Sequence, residues 1–255
     1  MKVNQLPGAG GLLGFILLLW GCGDPPVPRS IILCDFTSSV DDQYSIPRIK
    51  SGAMQIQQTE EKERQLEFYA IGKDNNSNSL YYSNPPGDDL RPSDMAVYDS
   101  ASPQRRTQLK GALDTASSAA MLINRKEPSS CIIDGVERAI SYFTNQKGYT
   151  TASLRLYILS DMLECCRLNK KDRICIENEP PPVKNLDSMV RGVTDPALSL
   201  APMKNLEVYI ILSASNKKEG SSTSLKHFWE AVFKAYGYDK PLYFSVNLPA
   251  AEKKN

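Results

Sequence analysis

The sequence predicts an α/β fold in which a doubly wound, mostly parallel sheet is flanked by helices and has an antiparallel edge strand. Two observations predict it. The apolar runs at 31–34 and 156–159 contain no polar residue, which is typical of parallel strands that are covered on both faces. Between such runs, apolar residues recur every three or four positions, which indicates helices. Strands that alternate with helices in this way favour one layered α/β domain.

The predicted elements follow one another along most of the chain. Predicted strands cover 31–35, 65–72, 79–83, 154–161, 206–212 and 242–246, and predicted helices cover 46–64, 104–123, 132–143 and 222–236. The polar run 73–78 is a turn between two strands, which makes 79–83 the antiparallel edge strand. The segment from Asn84 to Pro103 contains four prolines and several aspartates, so we predict a loop there.

The first 29 residues have the pattern of an exported protein. Lys2 precedes an apolar stretch from Leu12 to Trp20 that is too short to span a bilayer but fits a signal peptide. Residues 19–22, Leu-Trp-Gly-Cys, resemble the lipobox of bacterial lipoproteins, which implies a lipid on Cys22. We therefore expect a signal peptide at 1–22, a tether at 23–29, a domain at 30–248 and a charged tail at 249–255, anchored by lipid in the bacterial envelope outside the cytoplasm.

Composition and motifs argue against two large classes of function. With 30 basic and 29 acidic residues and a net charge of +1, the chain has no electrostatic footprint for nucleic acid. No pattern in the sequence places the single histidine, His227, near an activated serine. A hydrolase with a serine nucleophile therefore has little support. The chain also has no Gly-rich phosphate-binding motif. We expect a protein that is not an enzyme.

The candidate site begins where the first strand ends. Asp35, Thr37 and Ser39 stand at alternate positions after the apolar run, and ligand sites in parallel α/β sheets lie at the carboxyl ends of strands. Oxygen ligands with no His nearby in the sequence suit Mg²⁺ or Mn²⁺. The residues therefore predict a divalent-cation site at this edge of the sheet.

Residues 35–39, Asp-Phe-Thr-Ser-Ser, resemble the DxSxS signature of von Willebrand factor A (VWA) domains, with Thr in place of the first Ser. In that family a hydroxyl residue on a second loop and an aspartate after a later strand complete a metal-ion-dependent adhesion site. The resemblance implies Ser129 or Ser130 for the hydroxyl, without choosing between them, and Asp161 for the acid. It also implies a Rossmann-like sheet and a protein partner whose acidic side chain completes the coordination of the cation.

The segment 162–205 separates Asp161 from the next strand. It leaves from the predicted site edge, so it is predicted to form a rim that selects the partner; packing against the flank of the sheet is the alternative. A basic run at 167–173 within it is interpreted as a solvated loop.

Six cysteines are present. If Cys22 is lipidated, five remain and at least one thiol has no partner within the chain. Cys175 is a candidate to bridge Cys165 or Cys166, which would contribute about 2–4 kcal/mol. Three thiols with no suitable His give zinc little support, and Cys34 is interpreted as a buried apolar residue.

Overall fold

The computed structural model describes residues 26–37, 45–61, 64–71, 78–81, 92–124, 130–168, 172–175, 186–212 and 219–245. The strands are β1 Arg29–Asp35, β2 Gln65–Ile71, β3 Asn78–Tyr81, β4 Leu154–Ser160, β5 Cys165–Leu168, β6 Asp172–Cys175, β7 Leu206–Leu212 and β8 Tyr243–Ser245. The helices are α1 Ser45–Glu60, α2 Pro92–Asn124, α3 Ile132–Thr144, α4 Leu186–Val193 and α5 Glu219–Ala235.

Six strands form one sheet in the order β3-β2-β1-β4-β7-β8. Every neighbouring pair is parallel except β2 and β3, which are antiparallel. This arrangement confirms the predicted fold class. The chain builds the sheet outward from β1 in one direction and then, from β4, in the other. The carboxyl ends of β1 and β4 therefore form the switch point at which open α/β sheets bind their ligands.

Apolar side chains cover both faces of the central strands. Along β1, Ile31 and Leu33 belong to the core on the face that packs against α3, α4 and α5, whereas Ile32 and Cys34 belong to the core on the face of α1 and α2. All seven residues of β1 are buried. This double coverage explains why the strand is an uninterrupted apolar run rather than an alternating one.

The predicted loop from Asn84 to Pro103 is wrong over its second half. Helix α2 begins at Pro92 and continues through Pro103. A proline at the start of a helix loses no hydrogen bond, and one inside it costs a hydrogen bond and a clash without ending every helix. Neither Pro92 nor Pro103 therefore ends this helix.

The segment 162–205 combines a hairpin at the site edge with a part that joins the core. Strands β5 and β6 form a separate antiparallel pair directly after the turn that follows β4. Further along, Val190, Val193, Leu200 and Met203 are buried in the core. Among the described residues of this segment, the hairpin is the part that remains a candidate rim. Strands of four residues and a helix of eight are too short to show a clear period in the sequence.

A buried ionic network stabilises the amino edge of the sheet, opposite the candidate site. The Glu60 carboxylate accepts a hydrogen bond from Ser30 Oγ at 2.8 Å and pairs with Arg64 at 3.0 Å and Arg155 at 2.6 Å. These contacts tie α1 to the starts of β1 and β4. Two basic partners compensate the charge of the buried Glu60 carboxylate within the protein. This distinguishes Glu60 from Asp35, which is described next.

Candidate functional site

Asp35 lies at the carboxyl end of β1, fully buried, and hydroxyl groups surround its carboxylate. Thr37 donates to Oδ1 through both its backbone N–H, at 3.0 Å, and its Oγ1, at 2.7 Å. Ser160 Oγ donates to Oδ2 at 2.6 Å, and Ser130 Oγ lies 3.4 Å from Oδ1. The hydroxyls of Thr37 and Ser130 also hydrogen bond to each other. The strand β1, the start of α3 and the strand β4 thus meet at one carboxylate.

Within the described part of the chain, the Asp35 carboxylate forms no ion pair with a basic side chain. Burial raises its pKa, and the hydrogen bonds from Ser160, Thr37 and Ser130 lower it again. An ionised carboxylate without a positive partner is costly in a protein interior. The site therefore favours either a proton on Asp35 or a cation beside it.

Asp161 follows directly after β4 and is fully buried as well. Its Oδ1 accepts a hydrogen bond from the backbone N–H of Leu163 at 2.9 Å. The neighbouring Ser160 accepts from the backbone N–H of Met162 at 2.9 Å while it donates to Asp35. The turn after β4 is thus held by the same side chains that face the site.

Met162 adopts a left-handed backbone conformation, with φ of 63°, although its side chain is fully buried in the core. The indole Nε1 of Trp229 on α5 donates to the Met162 carbonyl at 3.0 Å. A non-glycine residue pays about 1–2 kcal/mol for this conformation. The packing of Met162 and the hydrogen bond to its carbonyl offset that cost.

We expect Met162→Gly to be more stable than Met162→Ala by about 1 kcal/mol, the reverse of the usual order. Both changes delete the buried side chain, which costs about 2–5 kcal/mol, but only glycine adopts positive φ freely. Urea unfolding of the two variants measures the difference. An alanine variant that equals or exceeds the glycine variant in stability would contradict the proposed strain.

Glu164 is a third fully buried acid near the site. Its Oε2 accepts the first backbone N–H groups of α3, from Ile132 at 2.7 Å and from Ile133 at 3.1 Å, whereas Cys131 at the N-cap makes no side-chain cap. Burial raises the pKa of Glu164 to about 8, with a smaller upward contribution from the charge of Asp35. Glu164 therefore ties the loop after Asp161 to the helix that begins beside Ser130.

The structure brings several of the predicted ligands together and reveals residues that the prediction missed. Asp35, Thr37 and Ser130 form one cluster, and Asp161 is adjacent to Ser160 at the same edge. Ser39, Ser129 and Cys22 lie outside the described residues. His227 is exposed on α5. Nowhere in the described ranges do three or more His, Cys, Asp or Glu side chains form a cluster suited to a metal.

Three missed residues are Ser160, Glu164 and Cys131, which forms a disulfide bond. The register pairs Cys34 with Leu159, so the next residues of the two strands, Asp35 and Ser160, lie opposite each other. Strand pairing, not spacing in the sequence, reveals this proximity. A serine directly before a strand-end aspartate was the one available signal for it. The sequence contains no spacing that would have linked Glu164 to the start of α3.

Together these features define a doubly wound α/β protein with buried carboxylates and hydroxyls at its topological switch point. No protein-family model and no curated protein matches the chain. Several solved structures do match it. The conserved hypothetical protein BatB from Bacteroides thetaiotaomicron is 14% identical, covers 87% of this chain and 91% of its own, and has a TM-score of 0.42.

Two further matches are named as VWA proteins. The ArnB paralog VWA2 from Sulfolobus acidocaldarius is 10% identical, covers 87% of this chain and 42% of its own, and has a TM-score of 0.42. A von Willebrand factor type A protein from Catenulispora acidiphila is 14% identical, with coverages of 83% and 43% and a TM-score of 0.37. At these low scores, the fold class rests on the strand order and connections of this chain itself.

Proposed function

We propose that this protein is an extracytoplasmic VWA-like binding module that uses a divalent cation, Mg²⁺ or Mn²⁺, to engage a carboxylate of a protein partner. The observation that supports the proposal most is the environment of Asp35. Its buried carboxylate receives hydrogen bonds from hydroxyls and has no basic partner in the described part of the chain. A cation bound there supplies the positive charge that the fold omits.

The donor set fits a hard cation. Asp35, Thr37, Ser130 and Asp161 offer only oxygen atoms, and they come from three segments that meet at the switch point. Mg²⁺ binds through one or two carboxylates and keeps several waters, so a site with two aspartates leaves positions for a ligand from outside. Ser39 remains an expected member of the set on the evidence of the sequence, and Ser129 remains the alternative to Ser130.

The local chain order adds a second support. The hydroxyl-rich end of the first strand, the hydroxyl at the start of a helix and the acid after β4 follow in the order that the VWA signature implies. The antiparallel edge strand β3 after β2 also agrees with that plan. Function still depends on the site rather than on the fold, which is why the test addresses Asp35 directly.

Anchoring is a separate part of the proposal. It depends on the Leu-Trp-Gly-Cys run at 19–22, whose resemblance to a lipobox supports lipid on Cys22 and a domain outside the cytoplasm. No helix in the described ranges is long and apolar enough to cross a membrane.

Calorimetric titration with Mg²⁺ and Mn²⁺ tests the cation site. We expect the wild-type protein to bind and Asp35→Asn to lose at least tenfold in affinity, because the amide removes the charge while it preserves the size of the side chain. Asp114→Asn is the control, since Asp114 is an exposed carboxylate paired with Lys50 on α1 and should leave cation affinity unchanged.

Unfolding in the presence of a chelator separates a binding defect from a folding defect. Asp35→Asn should unfold at the same or a higher urea concentration than the wild type, since it removes a buried charge. Absence of cation binding by the wild type, or equal affinity in Asp35→Asn, would instead favour a structural or envelope-assembly protein that binds its partner without metal.

A further inference from the structure

Four cysteines stand in two segments of the chain, Cys131 directly before α3 and Cys165, Cys166 and Cys175 in the β5–β6 hairpin. Cys131 forms a disulfide bond and directly follows Ser130 at the start of α3. Cys34 is a free thiol buried in β1, so it is not the partner. The remaining candidates are Cys22 and the three cysteines of the β5–β6 hairpin, Cys165, Cys166 and Cys175.

Cys22 is too far away to be the partner. It stands four positions before Pro26, which lies at the amino edge of the sheet beside Gly148. Four residues span at most about 14 Å, whereas the length of β1 alone separates the two edges of the sheet by roughly 20 Å. The partner of Cys131 therefore belongs to the hairpin.

Glu164 brings the hairpin and Cys131 together. Its side chain accepts the backbone N–H groups of Ile132 and Ile133, so two hydrogen bonds join the backbone beside Cys131 to the residue that precedes β5. A disulfide needs Cα atoms about 4.4–6.8 Å apart. The contact between Glu164 and α3 holds the first residues of β5 near Cys131.

The register of the hairpin divides its cysteines. The backbone register pairs Cys165 with Cys175 across β5 and β6; positions in register lie on one face of a strand pair, and the next position, Cys166, lies on the other. Position 166 also stands two residues after Glu164, whose side chain accepts hydrogen bonds from the start of α3. We propose that Cys131 is bonded to Cys166 and that Cys165 is bonded to Cys175.

The first of these bonds is a tether for the candidate site. It links the residue after Ser130 to the hairpin that follows Asp161, so the second and third loops of the site are held at a fixed spacing. This role rests on the proposed cation site, whereas the pairing itself does not. Each bond forms when two thiols lose two protons and two electrons to a disulfide-bearing oxidant, which is reduced to two thiols.

Two single substitutions distinguish this pairing from its alternatives. After free thiols are alkylated, tryptic digestion without reductant gives peptides 127–138, 156–167 and 174–184, which contain Cys131, the Cys165–Cys166 pair and Cys175. We expect Cys166→Ser to release the first peptide with an alkylated Cys131 and to keep the other two linked. Cys165→Ser should release the third peptide and keep the first two linked.

The opposite pattern, with Cys131 alkylated in Cys165→Ser, would overturn the pairing. If a variant fails to fold, electron-transfer fragmentation of the linked wild-type peptides assigns the same bonds. A Cys131 that is alkylated in the wild type would also overturn it.

Two measurements test the tether. Hydrogen exchange at the amides of Ile132 and Ile133 should accelerate at least tenfold in Cys166→Ser and stay unchanged in Cys165→Ser. The affinity for Mn²⁺ should fall about tenfold in the first variant only. Unchanged exchange in Cys166→Ser would overturn the tether. If exchange accelerates in Cys166→Ser but the wild-type protein binds no Mn²⁺, the tether stands and only the cation site is refuted.

Discussion

The free energy of unfolding is expected to fall by several kcal/mol between pH 5 and pH 9, and Glu164→Gln is expected to remove most of that fall. In the unfolded chain Glu164 titrates near its ordinary pKa of 4.5, whereas burial raises the pKa in the folded protein to about 8. Each pKa unit corresponds to about 1.4 kcal/mol. The contribution of this one carboxyl is therefore at most about 5 kcal/mol.

The sign follows from proton binding. Between pH 4.5 and about 8 the folded protein holds a proton on Glu164 that the unfolded chain has released, so a rise in pH favours unfolding. Above that range both states are ionised and the loss is complete. Glutamine keeps a carbonyl oxygen for the N–H groups of Ile132 and Ile133 and has no proton to lose.

Urea unfolding in a chelator at several pH values makes the measurement. Burial also raises the pKa of Asp35, so both carboxyls contribute to the pH dependence of the wild type. The test is therefore the difference in pH dependence between the wild type and Glu164→Gln. Glu230→Gln is the matched control, because Glu230 is exposed and makes only a long ion pair with Lys226. Equal pH dependence in Glu164→Gln and wild type would show that the folded protein does not hold this proton.

Trp229→Ala is expected to destabilise the protein by about 3–5 kcal/mol, the cost of deleting a large aromatic side chain from a packed core. Trp229 is fully buried, its ring meets Phe228 edge to face at 5.3 Å, and its Nε1 supports the Met162 carbonyl. The change therefore removes core volume together with a donor to the turn after Asp161.

Trp229→Phe separates these two contributions. It keeps most of the ring but not the N–H group, so we expect a smaller loss of about 1–3 kcal/mol, the cost of a buried hydrogen-bonding group left without its partner. Urea unfolding of both variants decides the point. A loss below 1 kcal/mol in Trp229→Ala would mean that α5 packs on the sheet less tightly than the structure indicates.

The sequence predicted some elements of the fold correctly and missed others. Strands β1 and β4 were predictable because coverage on both faces gives each an apolar run, β7 because most of its residues are apolar, and α3 because one face is strongly apolar. The start of α2 was mispredicted at Pro92, and the short hairpin β5–β6 was missed. Both errors occur where local propensity is weak or ambiguous and contacts distant in the chain decide the conformation.

The sequence by itself determined that this protein is a doubly wound α/β domain and that Asp35, Thr37 and Asp161 stand at the ends of strands. Those properties follow from local patterns, since burial on two faces demands apolar runs and a strand end needs polar residues. Only the tertiary structure decided which side chains meet there. The register of β1 and β4 brings Ser160 to Asp35, the turn after β4 directs Glu164 to the start of α3, and Cys131 forms a bond that no spacing revealed. Such contacts join residues from about 30 to 125 positions apart, and they depend on how strands align in space rather than on any local sequence preference.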